Sequence, residues 1–165
     1  MAALHEGGTA GAALISAIAR HADRPAIADN NTRWTYRELG EAAGRVMALF
    51  RSLGLQRGGA VSVLSSNRVE TWAVVTAAAI MGLRYTPLHP LAAEDDQAFI
   101  VEDAEIDALI VEAAKYSERG LAIRARSRSI ARCRSSFSRL ARNRRVTVVR
   151  TTAATTPITP IATNN

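Results

Sequence analysis

The chain has 165 residues, 48% of them hydrophobic, 22% charged and 5% aromatic, with a formal net charge of +6. This length accommodates one domain with a true core, and the apolar fraction excludes a wholly disordered chain, because enough surface can be buried to offset the entropy of ordering. Ten Gly, five Pro and one Cys exclude collagen-like and disulfide-rich classes. In chain order, Gly11 to Ala22 places Leu14, Ile15, Ile18 and Ala19 on one stripe of a short helix that stops before Pro25. Ala26 to Ala28 and Arg33 to Thr35 flank the turn-forming Asp29-Asn30-Asn31-Thr32 and read as a small hairpin.

Thr35 and Glu38 then form a T-x-x-E capping box, in which the hydroxyl and the carboxylate reciprocally satisfy free amides. Leu39, Ala42, Ala43, Val46, Leu49, Phe50 and Leu53 continue at helical spacing, and Gly54 supplies a left-handed stop. Ala60 to Leu64 is a buried strand. Ser65, Ser66 and Asn67 stand where they would cap the next helix, Val69 to Met81, which is apolar nearly all round and ends at Gly82. Arg84 to Leu88 is a second strand, truncated by Pro87 and Pro90. Glu94, Asp95 and Asp96 open a further helix that runs to about Ala104, and Asp107 to Val111 is a third strand. The order β-α-β-α-β, with crossovers of helix length, predicts an α/β fold with parallel strands, Rossmann-like in its connections.

Charge is unevenly distributed. Residues 1–120 carry 11 basic and 15 acidic side chains, a net of −4, whereas residues 121–165 carry 10 Arg and no acid, a net of +10. The chain therefore reads as an α/β segment, 1–120, followed by an Arg/Ser/Thr-rich basic tail, 121–165. The lone Cys133 cannot form an internal disulfide, and with His5, His21 and His89 it makes no metal site. The opening MAALHEGG has no basic region before the first apolar stretch. The longest apolar run, Trp72 to Leu83, is broken by Thr76 and Gly82 and is too short to span a bilayer, so a cytoplasmic protein is expected.

No residue is assigned a catalytic, cofactor-binding or metal-binding role from these patterns. Neither G-x-G-x-x-G nor G-x-x-x-x-G-K-[ST] occurs, and Gly58-Gly59 precedes a strand, whereas a phosphate loop should follow one. Ser65 to Asn67 follows a strand and opens a helix, as an anion site would, but capping is the simpler reading. Glu94 to Asp96 and Glu102 to Asp107 read as solvated faces rather than an acid–base pair. His89 follows a strand, at the end where ligands gather in such sheets, and is read as structural. Trp34 and Trp72 read as core or core-edge residues.

Together, W-T-Y-R-E-L at Trp34 to Leu39, the Gly54 turn into A-V-S-V-L and S-N-R-V-E-T at Ser66 to Thr71 follow in an order that resembles the start of AMP-forming acyl-CoA synthetases. M-G-L-R-Y-T-P-L-H-P at Met81 to Pro90, the acidic helix and D-A-L-I-V complete the resemblance. It implies the N-terminal α/β part of an adenylate-forming enzyme such as a fatty-acid–CoA ligase. The family reaction activates a carboxylate with ATP as an acyl-adenylate, and a thiol, usually of coenzyme A, then displaces AMP. ATP, Mg and coenzyme A are implied for the complete family and none for this chain, because the family's phosphate loop, hinge and distal lysine have no counterpart here. The sole lysine, Lys115, lies at the end of a strand. Gly59 and Leu91 depart from the family pattern, in which an acidic and a basic residue are common, respectively.

From Leu121 the resemblance fades. One reading of the tail is a frameshifted or prematurely ended product, and on it the chain is inactive alone and needs a second polypeptide carrying the missing part. A second is a basic helix with Ile123, Ile130, Cys133, Phe137 and Leu140 on one face, docking on nucleic acid or an anionic membrane. A third is a solvated tail without a role, and Thr151 to Asn165 reads as disordered on any of the three. The first is preferred. Incomplete cover of Val69 to Met81 would then leave an exposed apolar patch.

Overall fold

The structure, a computed structural model, describes residues 8–135, 147–151 and 159–160, with side chains for residues 8–127 and Val149. In chain order the elements are α1 (Ala10–Arg20), β1 (Pro25–Ala28), β2 (Arg33–Thr35), α2 (Tyr36–Ser52), β3 (Ala60–Leu64) and α3 (Val69–Met81). They continue as β4 (Arg84–Pro87), α4 (Glu94–Asp103), β5 (Ala108–Glu112), α5 (Ala113–Ser135), β6 (Thr147–Thr151) and β7 (Thr159–Pro160). Two compact units result, one from Met1–Gly58 with Asn67–Arg84 and one from Gly59–Ser66 with Tyr85–Asn165.

The first unit packs α1, α2 and α3 with the antiparallel β1–β2 hairpin. The expected capping box is present: Glu38 N donates to Thr35 Oγ1 at 3.3 Å and Thr35 N donates to Glu38 Oε2 at 2.7 Å. Leu39, Ala42, Ala43, Val46 and Phe50 form the buried stripe of α2, with Leu49 and Leu53 half-buried at its margin. Gly54 ends the helix at φ 78°, which lets Leu55 N donate to Phe50 O and Gly54 N to Arg51 O. Gly82, at φ 67°, ends α3 with the equivalent pair of bonds from Leu83 and Gly82 to Ala78 and Ala79. Thr9, outside the expected helix, caps α1 by accepting from Ala12 N.

Trp34 is buried, as expected, but Trp72 is 52% exposed and is not a core residue. Helical spacing groups it with half-buried Val75 and Ala79, on the side of α3 opposite buried Ala73 and Ala77. An apolar helix still has a least-covered side, and here the largest side chain occupies it.

The second unit is a five-stranded sheet in the order β4-β3-β5-β6-β7, with α4 packed on α5 and α5 on β5. β3 and β5 run parallel from Val61↔Ala108 to Leu64↔Val111, and β5 and β6 run parallel from Ala108↔Thr147 to Glu112↔Thr151. β7 is antiparallel to β6. Every residue of β3 and β5 is buried, as strands covered on both faces require. Leu64, Leu88, Val101, Ile106, Leu109 and Ile123 anchor the core.

The composition break at 120/121 does not coincide with the end of an element. It falls inside α5, where Gly120, Ile123 and Ser127 are buried, and β6 follows as a neighbour of β5. Surface charge set the break, whereas the inward face of α5 continues through it. Thr151, expected in a disordered stretch, is the last residue of β6, and Thr159 begins β7. Ile130 and Cys133 lie on α5, while Phe137 and Leu140 fall outside the described residues, as do 152–158 and 161–165.

Candidate functional site

In the second unit, the carboxyl ends of parallel β3 and β5 bring together residues that lie far apart in the chain. Ser65 and Ser66 leave β3, Glu112 closes β5 and Lys115 sits in the first turn of α5, not at a strand end. Glu112 is buried, at 4% exposure. Its Oε2 accepts from Ser66 N at 3.0 Å and from Ser66 Oγ at 2.6 Å, with Ser65 Oγ at 3.4 Å. Lys115 Nζ lies 3.4 Å from Ser66 Oγ and 4.0 Å from Glu112 Oε1. A buried carboxylate is tolerated only when donors and a cation replace its water, and this set does so while tying β3 to β5.

The geometry removes both sequence readings of Ser65 to Asn67. The amide and hydroxyl of Ser66 are committed to a carboxylate, whose charge disfavours an anion in the same place. Nor do these residues cap α3, whose N-cap is Arg68 without a side-chain cap bond. In the first unit Val69 N donates instead to Asp29 Oδ2 at 3.2 Å. The other oxygen of Asp29 accepts from Asn31 N and Thr32 N, so one carboxylate organises both the hairpin turn and the helix start. The Asn31 amide leads, with those of Thr32 and Val69 and the Arg68 charge, in holding the Asp29 carboxyl below its ordinary range; desolvation opposes them.

His89 is exposed in the loop after β4, and its Nδ1 accepts from Leu91 N at 3.2 Å. Around it the loop is pinned. Leu88 N donates to Val63 O, and fully buried Gln97 donates through Nε2 to His89 O at 2.7 Å. Arg119 of α5 donates to Gln97 Oε1 at 2.9 Å, to Pro90 O at 3.3 Å and to Ala92 O. The planar fork of a guanidinium suits three spread acceptors, two carbonyls of the loop and the Gln97 side chain of α4. Leu91, at the loop's outer turn, is 88% exposed.

The acidic clusters divide. Glu94 and Asp95 are bridged by Arg126 at 2.6 and 2.5 Å, and this pairing holds the Arg126 guanidinium above its ordinary range. Asp107 accepts from Ala60 N at 2.9 Å and binds the entry of β3 to that of β5. Asp96, Asp103 and Glu105 are exposed. Among the described residues, no three His, Cys, Asp or Glu are grouped to hold a metal ion, and no helix is long and apolar enough to cross a membrane. Glu112, Gln97 and Arg119 went unrecognised in the sequence. The one available sign was the polar Gln97 on the inward side of α4, a helix start otherwise read through its charges.

Residues 14–160 match the family described as AMP-binding enzyme. The chain is 35% identical over 111 residues to a medium/long-chain-fatty-acid–CoA ligase of Mycobacterium tuberculosis, covering 67% of this chain and 19% of that protein. It is 34% identical over 105 residues to a 2,3-dihydroxybenzoate-AMP ligase of Bacillus subtilis, covering 64% of this chain and 20% of that protein. A benzoate CoA ligase from Burkholderia xenovorans LB400 shares the fold, with a TM-score of 0.70 at 16% identity over 88% of this chain and 26% of that one. The chain thus spans about a fifth of the length of the first two relatives.

Proposed function

Because the chain belongs to the AMP-binding enzyme family, we propose that it forms the N-terminal α/β portion of an ATP-dependent, AMP-forming fatty-acid–CoA ligase of the cytoplasm and does not activate a carboxylate on its own. The 35% identity to a medium/long-chain-fatty-acid–CoA ligase carries the substrate class. The fifth of that protein's length which the chain covers supports dependence on further polypeptide for activity.

The chemistry of the described residues agrees with that division. ATP, Mg and coenzyme A all present or bind phosphate, and the carboxyl edge of β3 and β5 is not a phosphate cradle. Ser66 spends its amide and hydroxyl on Glu112, and the charge of Lys115 is shared with the same carboxylate. No reaction step is therefore routed through this edge. Its work is to hold β3, β5 and α5 in register, while Gln97 and Arg119 fix the loop after β4.

Carboxylate-dependent exchange of labelled pyrophosphate into ATP tests the reading. The purified 165-residue chain should give no exchange with any acid. Substituted for the matching segment of the mycobacterial relative, it should support exchange with medium- and long-chain fatty acids. Robust exchange by the chain alone, or a folded chimera active on aryl acids and not on fatty acids, would refute it.

A further inference from the structure

We propose that the exposed α1–α3 face of the first unit docks on an anionic lipid bilayer surface. Ala12, Ile15 and Ala19 are exposed at spacings of three and four, so they form one stripe of α1. Trp72, with half-buried Val75 and Ala79, forms a stripe of α3. The two meet at Gly11, one turn before Ile15, which lies so close to α3 that a Cβ on it would stand 2.5 Å from Ala79 O. Ile15 and Trp72 are each 52% exposed, and among the described residues of the first unit they are the only large apolar side chains left so open. A surface helix ordinarily turns charge outward, whereas α1 turns out Ala and Ile. No carboxylate occurs between Glu6 and Asp23 or between Glu70 and Glu94, and Glu70 is paired with Arg68 at 2.7 Å.

A second copy, another protein and a lipid surface compete for such a face. A stable dimer buries about 800 Å² per partner. Two half-exposed side chains among alanines fall well short of that, since even a whole aromatic buries only about 150–250 Å². A protein partner also fixes its register by hydrogen bonds spread through the interface, and beside these stripes only the Ser16 hydroxyl offers one. A bilayer asks for neither shape nor register. It takes apolar area at the headgroup boundary, where a Trp ring is well accommodated, and adds electrostatic attraction. The first unit supplies that attraction: residues 1–58 and 67–84 carry nine Arg and six acids, a net of +3. Arg20, at the end of α1, and Arg24 are exposed just beyond the stripe. The contact is shallow and reversible. It does not involve the basic tail and does not depend on the enzymatic reading.

Co-sedimentation of the full chain with vesicles of phosphatidylcholine and phosphatidylglycerol tests it, with tryptophan emission as a second readout. The wild-type chain should bind these vesicles, and should bind phosphatidylcholine alone several-fold more weakly. On binding, emission should shift to shorter wavelength and be partly quenched by lipids brominated in the acyl chain, because of the two tryptophans only Trp72 is exposed. That readout needs no substitution and so does not depend on a variant folding. Ile15→Gln/Trp72→Gln should lower the partition coefficient about tenfold, and Ile15→Gln alone about threefold, both with unchanged helical circular dichroism. Leu121→Gln, at an exposed apolar residue of the second unit, should leave binding as it is. No vesicle binding by the wild-type chain, binding without a change in emission, or an equal loss in Leu121→Gln would overturn the assignment. A concentration-dependent dimer that the double variant abolishes, in a chain that ignores vesicles, would give the face to a second copy instead.

Discussion

Two glycines of the first unit should respond in opposite directions to the same substitution. Gly44 lies inside α2, and a Cβ built on it meets nothing within 4 Å. Alanine there should gain about 0.5–1 kcal/mol, because it restricts the unfolded chain and adds no strain. Gly11 lies in the first turn of α1, where a Cβ would stand 2.5 Å from Ala79 O and 2.9 Å from Ile80 Cα. Both atoms are backbone of α3, so no rotamer change can relieve the overlap and one helix must move. Overpacking of this kind costs about 1–3 kcal/mol, which outweighs a propensity gain already small near a helix start. Gly11→Ala should therefore destabilise by about 1–2 kcal/mol. Gly40→Ala is the intermediate case, since its Cβ would meet Ile18 Cγ2 at 2.8 Å, a side chain that can turn aside. Urea unfolding followed by tryptophan fluorescence reads the first unit selectively, because Trp34 and Trp72 both lie in it. With an m-value of about 1 kcal/mol/M, the midpoint should rise by about 0.5–1 M for Gly44→Ala and fall by about 1–2 M for Gly11→Ala. A Gly11→Ala chain as stable as wild type would refute the close helix contact.

Asp29 gives a pH-dependent test. Its carboxyl is held below the ordinary value in the folded state, so its contribution is present above the unfolded value of about 4 and is lost as pH falls through the lower folded value. Asp29→Asn should be less stable than wild type at pH 7, and the difference should close below about pH 4, as followed by thermal melts across pH. Glu112→Ala should cost about 1–3 kcal/mol, because it strands the amide and hydroxyl of part-buried Ser66, whereas exposed Lys115 keeps its water; urea unfolding with Ser66→Ala in a double-mutant cycle should show coupling above about 1 kcal/mol. Arg119→Lys keeps the charge but not the fork, and should speed hydrogen exchange at Ala92 N, which donates to His89 O, severalfold without changing exchange in α2.

Local features were legible in the sequence because their partners lie within a few residues. The Thr35–Glu38 box, the glycine stops at Gly54 and Gly82, the course of α3 and the turn at Asp29 all rest on hydrogen bonds between near neighbours, and β3 was marked by its run of β-branched apolar residues. The alternation of strand and helix likewise implied a parallel sheet, since only crossover connections of that length return a strand in the same direction. What faces what was not legible. Burial of Glu112 depends on Ser66, 46 residues away, and the loop at His89 depends on Arg119 and Gln97 meeting it across α4 and α5.

The opening charge shows the same division. Sequence alone determined that a net of +6 is a negative segment followed by a positive one, and that the first of these has an α/β pattern. Only tertiary structure decided that the boundary between them is not a boundary of the fold. Arg126, from the positive stretch, closes on Glu94 and Asp95 of α4, and Ile123 beside it is buried in the same core as Ile106. Composition counts side chains along the chain, whereas a helix sorts them by face, and α5 turns apolar residues inward on both sides of the point where its charge changes.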